Sequence, residues 1–582
     1  MHRSTILLAL LAFILAAGTC AADSSQRELQ ALGDTVEGFS VVELPAEGDI
    51  TFTPEQSLTV GDLRGVTLDD TPPQLGEPPE PYDPRMTDDH PPGEAPYIAE
   101  GIEPFRFDHF NNEFSYGGWH NWAMCDYASA HGFNILSNYR RDIPTLTHLP
   151  ENTEWLLWGG FVNWHKFMPK HNLPEGRYDL LADRNVKRMV LDAGVFKPRP
   201  LYDNFMIDME HGKLSPSKLR QQEWYPADAS QAQQQAFEKR YYDGYAKTYT
   251  GVVEAARDIG WKDISVYGWQ PFPRTWHGLA EANVDPETYH PWTAYGRQIY
   301  EAVDILNPSV YCFYWSPQNV AYTLANIDLN MRLINSMEEK KPVRPYYWTL
   351  LHGGGSGWRW YKQQPVRNED VRAMTAMCFF TGSDGMVCWN WSGTGTHHHP
   401  TIKPEADFTV KEAFQVIARG AGEDVEPATF ERYAPLHINE VAEDDTVTFQ
   451  RIIPDSRDNH GVNENNPYYE MSKAELEPLL RPQSESVSAM IEGLALVKPL
   501  EYILRHGEVQ IDVSAQEQFA DRLPIVRRVS MDNVHVVCTY DPMWEAQEAP
   551  RQIVLKDFAD AAGLTVTLPA DRHTRIFVLK TQ

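Results

Sequence analysis

The sequence predicts an α/β protein: a (β/α)8 TIM barrel with a C-terminal antiparallel β-domain and a short N-terminal β-containing arm. Three observations predict it. Eight β-rich apolar runs alternate with helical stretches from residue 101 onward, which is the pattern of a parallel barrel. After about residue 425 that alternation stops and runs of alternating apolar and polar residues take over, as in antiparallel sheets. Before residue 101 the chain is rich in Pro, Gly, Asp and Glu, with one alternating stretch, DITFTPEQSLTVGDL. The expected units are therefore 1–22, 23–100, 101–425 and 426–582.

Residues 1–22 carry a basic Arg3, an apolar core from Ile6 to Ala17 and small residues before Asp23. This reads as a cleaved secretory signal, so a secreted or periplasmic protein is expected. Cys20 offers a lipoprotein alternative, but Ala17-Gly18-Thr19 fits the usual small-residue box poorly. No later run approaches the roughly 20 apolar residues of a membrane span. A β-containing arm and the Pro-rich linker TPPQLGEPPEPYDPRMTDDHPPGEAP precede the barrel, a composition suited to an extended spacer.

The eight strands are expected at 104–110, 133–139, 154–162, 205–211, 263–270, 308–315, 343–351 and 385–391. Between them fall helical runs, among them 178–194, 231–260, 293–306, 319–340 and 368–382, with 410–420 after the last strand. The tail contains VTFQRII, VHVVCTYD, RQIVLKDF, LTVTLP and TRIFVLK, each alternating as a half-buried strand does.

The formal charge of −30 over 582 residues argues against nucleic acid as a partner. It suits an exported, soluble protein. Aromatic residues make up 12% of the chain, with 17 Trp, and flat apolar rings grip sugar faces as readily as they fill cores. Beyond the signal, Cys125, Cys312, Cys378, Cys388 and Cys538 are odd in number and scattered. They form no disulfide framework and no zinc spacing, and buried free thiols are expected at Cys312 and Cys388. No cofactor or metal is expected.

The sharpest candidate site is FMIDMEH, where Asp208 and Glu210 end an apolar strand. Residues i and i+2 share a face of a strand, so the two carboxylates lie side by side. Repulsion between them drives their pKa values apart, which an acid catalyst uses. Such neighbours are too close to flank a sugar, where two carboxylates stand roughly 5 to 9.5 Å apart. One acid therefore protonates the leaving oxygen while the other tunes it or holds a substrate group, and the substrate supplies the nucleophile.

Barrel sites lie at the C-terminal ends of the strands, which adds Asp108, Asn138, Tyr267, Gln270, Trp315, Trp348, Trp389 and Asn390 as candidates. Strand parity sets Tyr267 and Trp269 on one face and Gln270 on the other. HGGGSGWRWYKQQP after strand seven lacks the Lys-Ser/Thr of a phosphate loop and reads as a substrate loop with Trp358, Arg359 and Trp360. Arg359 or Arg274 suits a uronate or sulfate. THHHP places His397, His398 and His399 in a row, and three consecutive His cannot all reach one ion. Contact of His398 or His399 with substrate is the other reading. The sequon NWS at 390–392 falls on a barrel strand and reads as accidental.

FMIDMEH resembles the D-x-E strand of the hyaluronidase glycoside hydrolases, and VYGWQPFP, ILNPSVY, KPVRPYYW and GMVCWNW are similar, in the same order, to further motifs of that family. Together they cover roughly residues 200–391. The resemblance implies Glu210 as general acid and base and Asp208 as a partner that shares a proton and orients a hexosamine N-acetyl group, whose oxygen is the nucleophile. It also implies Tyr311 as a cleft tyrosine and Trp389 as a tryptophan under the sugar. Departures are Gln270 for the family's tyrosine, Arg274-Thr275-Trp276 for its D-C-Y, Met209 for the tryptophan between the acids, His211-Gly212 after them, and no paired cysteines.

The expected function is that of a glycoside hydrolase cleaving a hexosamine- or uronate-containing polysaccharide. Two alternatives stand beside it. One is another polysaccharide-cleaving barrel, either with two facing carboxylates, Asp108 or another strand-end acid opposite Glu210, or a lyase acting by β-elimination at a uronate through Tyr and His. The other is a carbohydrate-binding barrel without chemistry.

Overall fold

The computed structural model describes residues 41–44, 49–60, 102–116, 128–138, 154–158, 173–174, 176–194, 204–209, 213–267, 295–312, 318–349, 366–389, 399–400, 435–441, 446–451, 468–472, 487–542, 549–556, 563–570 and 573–581. Its central feature is an eight-stranded sheet in the order β8-β7-β6-β5-β4-β3-β10-β9. The strands are β3 (Glu113–Tyr116), β4 (Ile135–Asn138), β5 (Glu154–Trp158), β6 (Asn204–Ile207), β7 (Lys262–Tyr267), β8 (Ile305–Asn307), β9 (Tyr346–Trp348) and β10 (Val387–Trp389). Every adjacent pair is parallel. The two outermost strands in that order also touch, through parallel bridges Leu306↔Val343 and Ser309↔Tyr346.

Alternation sorts the side chains into two layers. Phe114, Leu136, Phe205, Ile207, Val266, Leu306, Tyr347 and Cys388 join the large core shared with the helices. Ile135, Leu156, Met206, Tyr267, Tyr311, Tyr346, Trp348 and Val387 form a separate cluster on the other face. The longest helix among the described residues, Gln231–Asp258, starts at a Ser230–Gln233 capping box. It buries Tyr241, Tyr245, Tyr249, Val252 and Ala256 at helical spacing.

Strand one differs from expectation. The apolar run 104–110 does not form it; the strand is the shorter Glu113–Tyr116. Phe107 and Phe110 instead pack on Phe379, with ring centroids 6.0 and 4.7 Å away. Fully buried Asn112 then ties three strands together, accepting from Met386 N–H at 3.1 Å and donating to the Gly132 carbonyl at 3.0 Å. Gly385, with φ +153°, permits this: a Cβ there would lie 2.0 Å from the Asn111 carbonyl oxygen.

Strand six is also displaced, to Ile305–Asn307. Pro308 has no N–H to give, so the regular ladder stops there and resumes as the bridge at Ser309. The helix expected over 293–306 is correspondingly short, Arg297–Ala302.

A helix that the sequence reading did not place, 487–497, is buried along its whole length in the large core. It is held to the helix Asn368–Phe379 by Arg372 Nε donating to Glu492 at 2.8 Å. Just beyond it, Glu501 accepts the Phe110 N–H at 3.2 Å beneath strand one. A division at residue 425 therefore cuts off chain that packs with the eight-stranded sheet. The helix expected at 410–420 lies outside the described residues.

Two further sheets share a core. One has the order β1-β20-β17-β16-β15 and the other β18-β19-β2. Their strands are β1 (Val41–Glu43), β2 (Ile50–Thr51), β15 (Glu508–Gln510), β16 (Ile525–Met531), β17 (Val534–Tyr540), β18 (Arg551–Leu555), β19 (Leu564–Leu568) and β20 (Arg575–Lys580). Phe52 stacks on Phe577 at 4.0 Å inside a cluster with Val537, Val566 and Leu579. The N-terminal arm is thus not a separate unit: β1 pairs with β20 and β2 with β19, both in parallel. A four-stranded antiparallel sheet, β11 (His399–Pro400) through β14 (Tyr468–Ser472), lies between the two regions in sequence.

Side chains join the large sheet's helices to the tail. Arg527 Nη2 donates to Asp328 Oδ2 at 2.6 Å, and the Tyr540 hydroxyl donates to Asp370 Oδ1 at 2.7 Å. Cys312, Cys378, Cys388 and Cys538 are free and buried.

Candidate functional site

Strand β6 is buried at every position and leads directly into Asp208, which is 6% exposed. Met206 lies with the interior cluster, while Phe205, Ile207 and Met209 lie with the helix-facing core. Asp208 shares the parity of Met206 and so belongs to the interior face at the strand's C-terminal exit. Met209 points to the other layer, where its carbonyl accepts from the Tyr249 hydroxyl at 2.9 Å. Tyr249 in turn accepts from the Tyr245 hydroxyl at 3.0 Å. A methionine between the acids is therefore a core residue, its backbone pinned by a two-tyrosine chain from the long helix.

Around Asp208 the interior face is aromatic. Tyr267 meets Tyr346 edge-on at 4.9 Å and Tyr311 at 6.0 Å, and Tyr311 meets Trp348 at 5.6 Å. Trp389, partly buried, lies 6.4 Å from Tyr346. Four residues expected in the site, Tyr267, Tyr311, Trp348 and Trp389, thus form one connected wall. Glu210, Gln270, Arg359 and Asn390 lie outside the described residues, as do Trp315, His397 and His398.

Asp108 is a correction. It precedes strand one, on the N-terminal side of the sheet, because the run that contains it packs under the sheet instead of joining it. Its side chain is 79% exposed and faces Lys498 Nζ at 3.4 Å. It cannot stand opposite the Asp208 exit, so the two-carboxylate scheme built on it has no support.

Glu113 was not foreseen. It opens strand one, is 2% exposed, and is paired in register with Val387 and Ile135, both interior residues. The Tyr346 hydroxyl donates to its Oε1 at 3.4 Å. Burial pushes its carboxyl up to about 7, against the pull of Ser137, Arg344 and Tyr346. Ser137 Oγ lies beside the carboxyl without the geometry of a full hydrogen bond. Tyr346 is itself held far above the ordinary tyrosine range, by burial first and then by the charges of Glu113 and Asp208. The signal in the sequence is faint: Glu113 and Ser115 alternate with Phe114, but the stronger apolar run just before them masks the strand.

Among the described residues, no group of three His, Cys, Asp or Glu is placed to hold a metal ion. Nor is any helix there long and apolar enough to cross a membrane.

No family model matches the chain, and no curated protein does. Among solved structures, the chain is similar to bee venom hyaluronidase in complex with a hyaluronic acid tetramer, at 17% identity over 32% of this chain and with a TM-score of 0.24. It spans 61% of that protein's chain. An Anoxybacillus α-amylase aligns at 9% identity over 81% of this chain and 98% of its own, with a TM-score of 0.34. A GH30 endoxylanase from Clostridium papyrosolvens aligns at 10% identity over 82% and 98%, with a TM-score of 0.26.

Proposed function

We propose that the chain is an exported glycoside hydrolase of a (β/α)8 barrel, closed between β8 and β9, that cleaves a hexosamine- or uronate-containing polysaccharide. The observation that carries this reading is Asp208, buried at the exit of the fourth of eight parallel strands and set in the aromatic wall of Tyr267, Tyr311, Trp348 and Trp389. The i, i+2 spacing in the sequence predicts Glu210 on the same face as Asp208. Glu210 then protonates the glycosidic oxygen as the bond breaks, and the acetamide oxygen of the substrate attacks the anomeric carbon. Asp208 holds the acetamide and, as a negative neighbour, keeps Glu210 protonated to higher pH. Water opens the cyclic intermediate, with Glu210 now the base. Tyr311 and Trp389 offer ring faces to the sugar, while Gln270, Arg359 and Asn390 supply polar contacts.

Digestion of a panel of purified glycans tests this. Expected are new reducing ends from a hexosamine- or uronate-containing polymer, with no ultraviolet-absorbing unsaturated uronate. An absorbing product points to elimination instead, and no product from any glycan overturns the assignment.

The pinning of Met209 leads to a milder effect within the same scheme. Tyr249→Phe removes the hydroxyl that fixes the carbonyl between the two acids. Turnover is expected to fall about five- to tenfold, with KM within about twofold, because orientation at the reacting bond suffers and sugar binding does not. Steady-state kinetics beside a thermal melt checks this, and a melt lowered with turnover intact would assign Tyr249 to packing alone.

A further inference from the structure

The chain that leaves β6 is fastened to the long helix Gln231–Asp258 at more than one point. Tyr249 holds the Met209 carbonyl. Further on, the Leu214 N–H donates to the Tyr241 hydroxyl at 3.1 Å, and the Leu214 carbonyl accepts from the Tyr242 hydroxyl at 2.9 Å. Two neighbouring tyrosines of one helix thus take both backbone polar groups of a single residue. That fixes the backbone next to Lys213, whose ammonium lies over two more rings, 5.2 Å from the centre of Tyr295 and 5.8 Å from that of Tyr245. Those two rings meet edge-on at 5.0 Å and are buried, whereas Lys213 is exposed. An aromatic face attracts a cation through its quadrupole but carries no net charge. The seat therefore orients the ammonium without neutralising it.

Topology places this cation at the C-terminal ends of the strands. Lys213 belongs to the connection that follows β6 and leads to the long helix, and such connections carry the sites of parallel barrels. The helix returns the chain toward the start of β7, so its earlier residues lie further out from the strand ends. Tyr245 precedes Tyr249 by four residues, about 6 Å along the helix axis. Lys213, seated on Tyr245, is accordingly about one turn outward of the level at which Tyr249 holds Met209. Five positions along the chain also limit its Cα to at most about 18 Å from that of Asp208. Sugar units flanking the one at Asp208 fall in that zone. The whole chain carries a formal charge of −30, which repels an acidic polymer, and a fixed cation at this place offsets the repulsion locally.

We propose that Lys213 is a specificity-determining residue: seated on Tyr245 and Tyr295, it takes an anionic group, a carboxylate or a sulfate ester, on a sugar unit flanking the one at Asp208. This deepens the functional reading above and rests on it for the nature of the polymer. The ammonium supplies charge-assisted hydrogen bonds to the anion, and the tyrosine clamp on Leu214 spares part of the ordering that a long, mobile side chain otherwise undergoes on binding.

Stopped-flow tryptophan fluorescence on the full chain reads binding before turnover. The probes are a hyaluronan octasaccharide, its carboxyl-reduced form, a chondroitin sulfate octasaccharide and its desulfated form. Wild type should bind an anionic probe about three- to tenfold more tightly than its reduced or desulfated counterpart at low salt, and the ratio should shrink as salt is raised. Lys213→Met keeps an apolar stem on the rings and removes the charge, so the ratio should fall to within about twofold of one, while Lys213→Arg should retain it. Lys239→Met, which removes an exposed cation elsewhere on the same helix, should leave the ratio as in wild type. A preference lost on carboxyl reduction assigns the carboxylate, and one lost on desulfation assigns the sulfate. The proposal is overturned if Lys213→Met keeps the wild-type ratio, if Lys239→Met lowers it as much, or if wild type shows no preference, whether both forms bind alike or neither binds. A Lys213-dependent preference without cleavage of any glycan would remove the hydrolase and leave the anion subsite, and cleavage with equal affinities would do the reverse.

Discussion

Glu210→Gln is expected to lower turnover at least about a hundredfold while glycan binding persists. Glutamine keeps the size and the hydrogen-bonding shape of the side chain but cannot give up a proton to the leaving oxygen, so the loss falls on kcat. Calorimetric titration with an uncleaved oligosaccharide, beside steady-state kinetics, separates the two quantities. A carbohydrate-binding barrel without chemistry predicts no turnover to lose, and unchanged turnover in the variant would remove Glu210 from the mechanism. Asp208→Asn supplies an independent sign. The neighbouring negative charge raises the Glu210 pKa, and its removal lowers it. Because the acid must be protonated to act, the alkaline limb of the pH–rate profile should move toward lower pH. A limb that stays in place, or moves up, contradicts a shared acid pair.

The second large effect concerns stability. Arg527 is fully buried on β16, and its partner Asp328, on the helix Asn319–Asn335, is 9% exposed. Burial pushes the Asp328 carboxyl upward, and Arg527 pulls it back down. Arg527→Ala leaves a carboxylate without its cation in a dry junction, and a loss of about 3–5 kcal/mol in unfolding free energy is expected. Replacing both partners with apolar residues, Arg527→Met with Asp328→Leu, should restore stability to about that of wild type or above, since neither charge then has to be desolvated. Urea titrations of the three chains make the comparison. A single variant with wild-type stability would mean that water reaches this junction.

Much of the large sheet was legible because eight strands facing helices on one side leave eight apolar runs, and each described strand falls within or beside its run. Strand one was misplaced for a physical reason. The Phe residues of 104–110 are as apolar as a strand, but they pack on Phe379 below the sheet, and local hydrophobicity does not distinguish the two uses. Asp108 was lost with that strand and Glu113 was missed with it. Pro308 could have warned of the short strand six, since it has no N–H for a ladder. Helix 487–497 is enclosed and mostly apolar, with only Ser488 and Glu492 polar, which leaves little amphipathic signal to read. At the site, Tyr267, Trp348 and Trp389 of the aromatic wall followed from their places at strand ends, and Tyr311 from the family resemblance. The ties that fix it, Tyr249 to Met209 and Tyr346 to Glu113, join residues far apart in sequence and leave no mark in local pattern.

The way the arm docks bears on the order of assembly. β20 lies between β1 and β17 in its sheet, with Val578 partnered by both Val41 and Val536. Residues near the start of the chain therefore have no place to pair until residues near 578 have arrived. Pairings of such long sequence separation close large loops and form slowly. During synthesis the arm must wait as an unpaired strand, with Phe52 without its stacking partner until Phe577 reaches it. The small sheets are a late seal on the region of the eight-stranded sheet, most of whose strands pair with the next strand in sequence.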